Sequence, residues 1–342
     1  RAIKAPATAS PLRRAAAEPA IRYDWNGESR TIGRFLETNH VTGLLIARGD
    51  TILVERYQYG RDDRHRLTSY SMAKTVIGLL VGIAAAEGMI RSIDDTADQY
   101  APALKGTEYG RTPIKALLQM ASGVTFGEVY TDRNSDVHRF AMLTTGQDPI
   151  GTAGALRQFD RRHAEPGKRF AYSSAESGVL GLVVAGATRR TVADYAAEKL
   201  WGPLGAEADA SWIVDATGQE VTFAFLNAVL RDWARLGLML AHDGAWQGRQ
   251  VVPRQWVLDS TAIQPDSPMW SASMTPGRHA PGYGYQTWLL PAKERTFALR
   301  GLRGQWVIVE PQKKLVLVQT SLRDGADQEL LALWAALVAS VP

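Results

Sequence analysis

The sequence contains no cysteine. That excludes disulfides, thiol catalysis and thiolate metal sites. It leaves the compartment open, cytoplasmic or periplasmic, since a cysteine-free chain folds equally well in either. Long apolar runs are also missing. The longest runs from Val76 to Ala86, far too short to cross a bilayer, so no membrane span is expected. Histidine is scarce: six residues, scattered and without a His-Glu-x-x-His pair, so no metal is expected. Gly-x-Gly-x-x-Gly and Walker loops are absent, and no cofactor is implied. Gly-x-Ser-x-Gly is absent too, which argues against an α/β-hydrolase nucleophile elbow. The net charge is +4, but the arginines are spread along the chain rather than gathered in a tract, so no nucleic-acid partner is expected. The chain opens on Arg rather than Met, which is read as a removed tag or leader or a late start. No internal repeat is visible.

What remains is ordinary globular material: 342 residues, 45% hydrophobic and 22% charged, enough for a large core in one or two domains. The chain is organised around Ser69-Tyr70-Ser71-Met72-Ala73-Lys74. Thr75 to Glu87 follows as a helix apolar on nearly every side, hence buried, and ends at Gly88, a C-cap glycine. Ser71 falls at the helix start, where hydroxyl residues cap unpaired N–H groups. Lys74 is three residues on and shares its face. A serine hydroxyl becomes a good nucleophile only when a neighbouring base takes its proton. A lysine serves as that base only if burial or a cation lowers its pKa from about 10.4 towards roughly 7–8. The plainer alternative is a capping serine followed by a first-turn lysine.

Residues 1–20 are rich in Ala, Pro and Arg and read as an extended N-terminal arm. Thr31 to Glu37 reads as a short helix. Gly43 to Ala47 and Thr51 to Tyr57 read as a hairpin about Arg48-Gly49-Asp50. Ser92 to Tyr100 is a turn with a short capped helix. Pro113 to Met120, Thr152 to Phe159, Ser177 to Ala187 and Val192 to Lys199 are helical; Glu128 to Phe140 reads as loop. Phe225 to Asp243 reads as one helix. Gly282 to Trp288 begins a strand series continued by Thr296 to Arg300, Gln305 to Glu310 and Leu315 to Ser321. Gln328 to Val341 closes the chain as an amphipathic helix. The pattern implies an α/β domain built from 21–108 and 206–342, a helical domain at 109–205, and a site at their seam.

Three stretches then line up: Ser71-x-x-Lys74, Tyr172-Ser173-Ser174 after Pro-Gly, and Gly301-Leu302-Arg303-Gly304-Gln305 opening a late strand. Their order and spacing resemble the serine β-lactamase-fold hydrolases of the class C type, in the branch of the 6-aminohexanoate-dimer hydrolases and family VIII carboxylesterases. Ser-Met-Ala-Lys-Thr, Leu-Leu-Gln-Met-Ala-Ser-Gly-Val-Thr-Phe and Arg-Gly-Gln-Trp-Val-Ile-Val-Glu-Pro carry the likeness, over about residues 25–340. The resemblance implies an α+β, β-lactamase/transpeptidase-like fold: an antiparallel sheet flanked by helices, with an all-helical insertion. It implies Ser71 as nucleophile, Lys74 as activating partner and Tyr172 as shared general acid/base. The backbone N–H groups of Ser71 and Leu302 would form the oxyanion hole. A lysine cation beside Tyr172 would lower the phenol's pKa.

Tyr130 matches a loop tyrosine that closes over substrate in the dimer hydrolases, or is an exposed loop aromatic. Ser174, Arg300 and Gln305 are expected on the substrate side. Of the ten tryptophans, Trp270 and Trp288 are placed near the acyl pocket. Two departures stand out. Leu299-Arg300-Gly301 replaces the Lys-Thr-Gly or His-Thr-Gly of β-lactam enzymes, and Ser174 replaces the asparagine of Tyr-x-Asn. The implied protein is a monomeric or homodimeric serine hydrolase acting on a small-molecule ester or linear amide. A β-lactamase or DD-peptidase, or a non-catalytic binding protein of the same fold, are the alternatives.

Overall fold

The structure, a computed structural model, describes residues 1–264, 266–269 and 282–341. The apolar runs of the two chain ends meet in one eight-stranded sheet. Its order is Gly282–Tyr283, Trp288–Leu289, Phe297–Gly301, Gln305–Glu310, Leu315–Ser321, Val41–Arg48, Thr51–Tyr57, Arg13–Arg14. Every pairing is antiparallel except the last, where Arg13–Arg14 runs parallel to Thr51–Ile52. The central strands read as unbroken apolar runs because both faces are covered. Leu44, Ile46, Leu317, Trp306 and Ile308 pack with Leu330, Leu333 and Leu337 of the closing helix, Asp327–Ser340. Their neighbours Leu45, Ala47, Val307, Val316 and Val318 face the main core, shared with the Ala73–Ala86 and Leu230–Ala241 helices. This alternation is the period-2 geometry of a strand. Gly49 turns the hairpin of Val41–Arg48 and Thr51–Tyr57 with φ of 63°.

Between 109 and 205 the named elements are helical: Ile114–Leu118, Asp136–Thr145, Gly151–Leu156, Ser174–Thr188 and Val192–Ala196, the last running into a π-type turn to Trp201. The Ser174–Thr188 helix packs against the Ala73–Ala86 helix. The long apolar helix is therefore wrapped on all sides, and its residues from Ala73 to Ala84 are buried. No helix among the described residues is long and apolar enough to cross a membrane.

Four local expectations change. Ser71 lies in a 3-10 turn, Tyr70–Met72, and the α-helix begins at Ala73 with Met72 in the cap position and no side-chain cap bond. Residues 128–140 are not all loop: a helix starts at Asp136, whose carboxylate accepts the Gly127 N–H at 2.8 Å. Only Val137, Phe140 and Thr144 mark its buried stripe, too sparse a pattern to read beforehand. Leu226–Ala228 is a strand, not the first turn of the following helix. It pairs with Leu67–Thr68 and Ala210–Trp212. Ala2–Ile3 adds to the far edge of that second sheet, so the extended stretch at 1–20 is docked, with Ile3 wholly buried.

Candidate active site

The Ser69–Met72 turn is held from two sides. The Ser69 hydroxyl donates to Tyr70 O at 2.9 Å and accepts the Leu226 N–H at 3.1 Å, while Ser69 N–H donates to Leu226 O at 3.0 Å. Tyr70 takes φ of 44°, a left-handed value that costs energy for a residue with a Cβ and persists only where neighbours enforce it. On the other side the Phe297–Gly301 strand ends against the turn. A Cβ on Gly301 would stand 2.2 Å from Ser69 O and 3.1 Å from Tyr70 Cβ, so only glycine permits this approach. Ser71 is thereby freed from capping and faces a cleft.

Lys74 comes up beneath it. Its ammonium donates to Ser71 Oγ at 3.0 Å, Ser174 Oγ at 3.1 Å and the Phe223 carbonyl at 2.7 Å. The side chain is 1% exposed. Burial disfavours the charged form and brings its pKa down to about 8, with Glu128 pulling weakly the other way. A lysine so placed is about a tenth neutral at pH 7, against less than a thousandth in water.

Tyr172 completes the triangle, with Lys74 Nζ 5.2 Å from its ring centroid. The expected lowering of its pKa is reversed. Desolvation dominates and pushes the phenol well above its ordinary value, and the Ser71 side chain only partly offsets this. Lys74, with its pKa drawn down to about 8, is already neutral where a phenol titrates, so no cation stands beside Tyr172 to lower its pKa. Tyr172 stacks on Trp288 at 5.4 Å and 25° and meets Tyr283 edge-on at 6.0 Å.

The cleft, about 300 Å³, is lined by Ser71, Tyr130, Tyr172, Trp288, Arg300, Gly301, Leu302 and Asp324. Leu302 follows Gly301 at the head of a tight turn with Arg303 at φ 62° and Gly304 at 75°. Asp324 Oδ1 accepts the Arg303 N–H at 2.7 Å and steadies that turn. The Arg300 guanidinium is drawn aside, 2.6 Å from Asp327 and stacked over Trp306. Gln305 is not a cleft residue. It is 1% exposed, and its amide donates to Arg303 O and Ser321 O and accepts from Ser321 N–H. Its place one residue past the turn on a buried strand makes it a structural clamp, correcting the expected substrate contact. Trp270 lies outside the described residues.

Ser174 stands at the site, but facing Lys74 rather than the cleft. Behind it sits Glu128, which the sequence reading missed. Glu128 accepts the Ser174 N–H at 2.6 Å, the Ser174 hydroxyl at 2.5 Å and the Tyr130 hydroxyl at 2.5 Å. Its only sequence signal is position, two residues before Tyr130 in a polar stretch.

The beta-lactamase family profile matches residues 29–340, and the chain belongs to that family. It is 30% identical over 313 residues to the 6-aminohexanoate-dimer hydrolase of Paenarthrobacter ureafaciens, covering 89% of this chain and 79% of the relative. Among solved structures it resembles a candidate 6-aminohexanoate-dimer hydrolase from Bacillus anthracis, with TM-score 0.86 and 21% identity over 100% of this chain and 92% of that one. A penicillin-binding protein from Bacillus halodurans matches with TM-score 0.67 and 16% identity over 90% and 99% of the two chains. EstCE1, a hydrolase with promiscuous acyltransferase activity, matches at 0.69 and 16% over 89% and 96%. The protein is thus a beta-lactamase-fold hydrolase related to 6-aminohexanoate-dimer hydrolase.

Proposed function

We propose that the protein is a serine hydrolase acting through an acyl-enzyme on small esters or linear amides. The observation that carries this is Lys74 Nζ 3.0 Å from Ser71 Oγ on a buried side chain whose pKa is drawn down to about 8. Ser71 Oγ attacks the carbonyl carbon as its proton passes to Lys74. The N–H groups of Ser71 and Leu302 receive the developing oxyanion. The ester C–O or amide C–N bond then breaks, and Tyr172, a protonated phenol at neutral pH, gives its proton to the leaving group and is reprotonated through Lys74. Water attacks the acyl-enzyme by the same route in reverse and releases the acid.

The substrate class rests on what stands where β-lactam enzymes grip a carboxylate. Leu299-Arg300-Gly301 carries no lysine or threonine, and the one strand cation, Arg300, is paired with Asp327. Each charge-assisted hydrogen bond missing from a β-lactam carboxylate costs about 1.5–3 kcal/mol, so two missing bonds amount to roughly a hundredfold or more. An ester without that carboxylate loses nothing. The β-lactamase or DD-peptidase reading retains the family likeness and Arg303, whose guanidinium lies over the Tyr70 ring at 5.7 Å.

The test is kcat/KM for p-nitrophenyl butyrate, linear 6-aminohexanoate oligomers and nitrocefin on one preparation, with fluorophosphonate labelling of wild type and Ser71→Ala. The expected result is one label on wild type, none on Ser71→Ala, and an ester or linear amide turned over far more efficiently than nitrocefin. Equal labelling of both proteins removes Ser71 as nucleophile; nitrocefin turnover matching the best ester or amide promotes the β-lactam reading.

A further inference from the structure

We propose that Glu128, acting through Ser174, is a positioning residue that orients the neutral amine of Lys74 so that its lone pair faces Ser71. This rests on the functional reading above and deepens it. The argument is a count of hydrogens. As a carboxylate Glu128 can only accept, and three donors converge on it: the Ser174 N–H, the Ser174 hydroxyl and the Tyr130 hydroxyl. The Ser174 hydroxyl hydrogen is therefore spent on Glu128. Ser174 can offer Lys74 only a lone pair, and it stands 3.1 Å from Nζ. The Phe223 carbonyl, 2.7 Å from Nζ, likewise only accepts.

A charged Lys74 fills all three contacts with its three hydrogens. A neutral one has two hydrogens and one lone pair. Two of its three partners can accept but not donate, so both hydrogens go to Ser174 and Phe223. The lone pair is left for the one partner with a hydrogen to give, Ser71 Oγ at 3.0 Å. Proton transfer from Ser71 Oγ to Lys74 Nζ then needs no rotation of the amine. Without the carboxylate, the Ser174 hydroxyl is free to turn its hydrogen towards Nζ and take the lone pair for itself.

The charged and titratable groups facing this network are Glu128, Tyr130 and Tyr172, with Tyr283, Glu176 and Arg300 further out. Glu128 also stabilises the lysine cation. Removing its charge therefore makes Lys74 neutral at lower pH, which by itself would favour the base. A steering role and a charge role thus predict opposite changes in rate.

The experiment measures fluorophosphonate labelling rates from pH 5 to 10 for wild type, Glu128→Ala, Glu128→Asp and Ser174→Ala, with Ser71→Ala as blank and melting temperature recorded for each. Glu128→Ala, which removes both the charge and the acceptor, is expected to lower the plateau rate tenfold or more while the midpoint of the rise moves to lower pH, a combination that loosened packing does not produce. Ser174→Ala is expected to lower the plateau with the midpoint moved less, since the carboxylate remains. Glu128→Asp should recover part of the rate, and decides the matter together with Ser174→Ala if Glu128→Ala does not fold. An unchanged plateau in folded Glu128→Ala, or in folded Ser174→Ala, overturns the inference while leaving the functional reading intact. Failure of wild type to label at Ser71 overturns that reading and this inference together.

Discussion

Ser71 makes no cap bond, so Ser71→Ala should leave the melting temperature nearly unchanged rather than cost the ~1 kcal/mol of a lost cap. Loss of turnover in that variant then reports chemistry alone, and a large drop in melting temperature would mean that the hydroxyl also supports the fold. Lys74 works as a base only when neutral. kcat/KM should therefore rise with pH to a plateau above its pKa of about 8, standing at roughly a tenth of the plateau one unit below. Tyr172, held protonated by burial, should give no falling limb below pH 10; an alkaline limb near pH 8 or 9 would show that the phenol, not the lysine, titrates there. Tyr172→Phe should lower kcat by several orders of magnitude with KM changed far less, because proton transfer rather than ground-state binding is lost. The Ser71–Lys74 pair is legible in sequence because a helix brings positions three apart together. Glu128 is not, because what makes it matter is a contact to Ser174, and no local pattern encodes a contact between residues 46 positions apart.

At the scale of elements, the Ser174–Thr188 helix carries a second carboxyl, Glu176, fully buried in its first turn. One oxygen accepts from Ser122 N–H and Oγ; the other has no hydrogen-bond partner among the described residues. Burial raises its pKa to about 8. The folded value lies above the ordinary carboxylate value of ~4.3, so the unfolded chain ionises first and stability falls as pH rises between the two. Glu176→Gln should therefore gain melting temperature relative to wild type at pH 8 compared with pH 5, by the equivalent of a few kcal/mol at most. An equal effect at both pH values would show that the carboxyl ionises normally. The elements themselves were largely readable. The 305–310 and 315–321 strands and the 73–86 helix advertise themselves through dense apolar patterns. The Leu226–Ala228 strand and the Asp136–Thr145 helix do not. A three-residue strand whose Asn227 and Ala228 pair with Thr68 and Leu67, 159 and 161 positions away, looks in sequence like the first turn of the amphipathic helix behind it.

For the whole molecule, the strands near both termini point to one sheet built from the two ends, and Leu315–Ser321 joins them by pairing with Val41–Arg48. The partners of the N-terminal stretch were hidden, because Ala2–Ile3 and Arg13–Arg14 owe their strand geometry to edges supplied from far along the chain. The close approach of Gly301 to Ser69 has a consequence in time as well as space. The Ser69–Met72 turn and the strand that abuts it are separated by more than two hundred residues, and contacts of such long sequence separation form late, after a large loss of chain entropy. Catalytic competence should therefore be among the last properties acquired during refolding. After dilution from denaturant, far-UV ellipticity should recover before esterase activity, with a measurable lag between them. Gly301→Ala should lengthen that lag, since the added methyl must displace the turn before the strand can seat. Activity returning in step with the first ellipticity change would mean that the turn reaches its working shape without the strand.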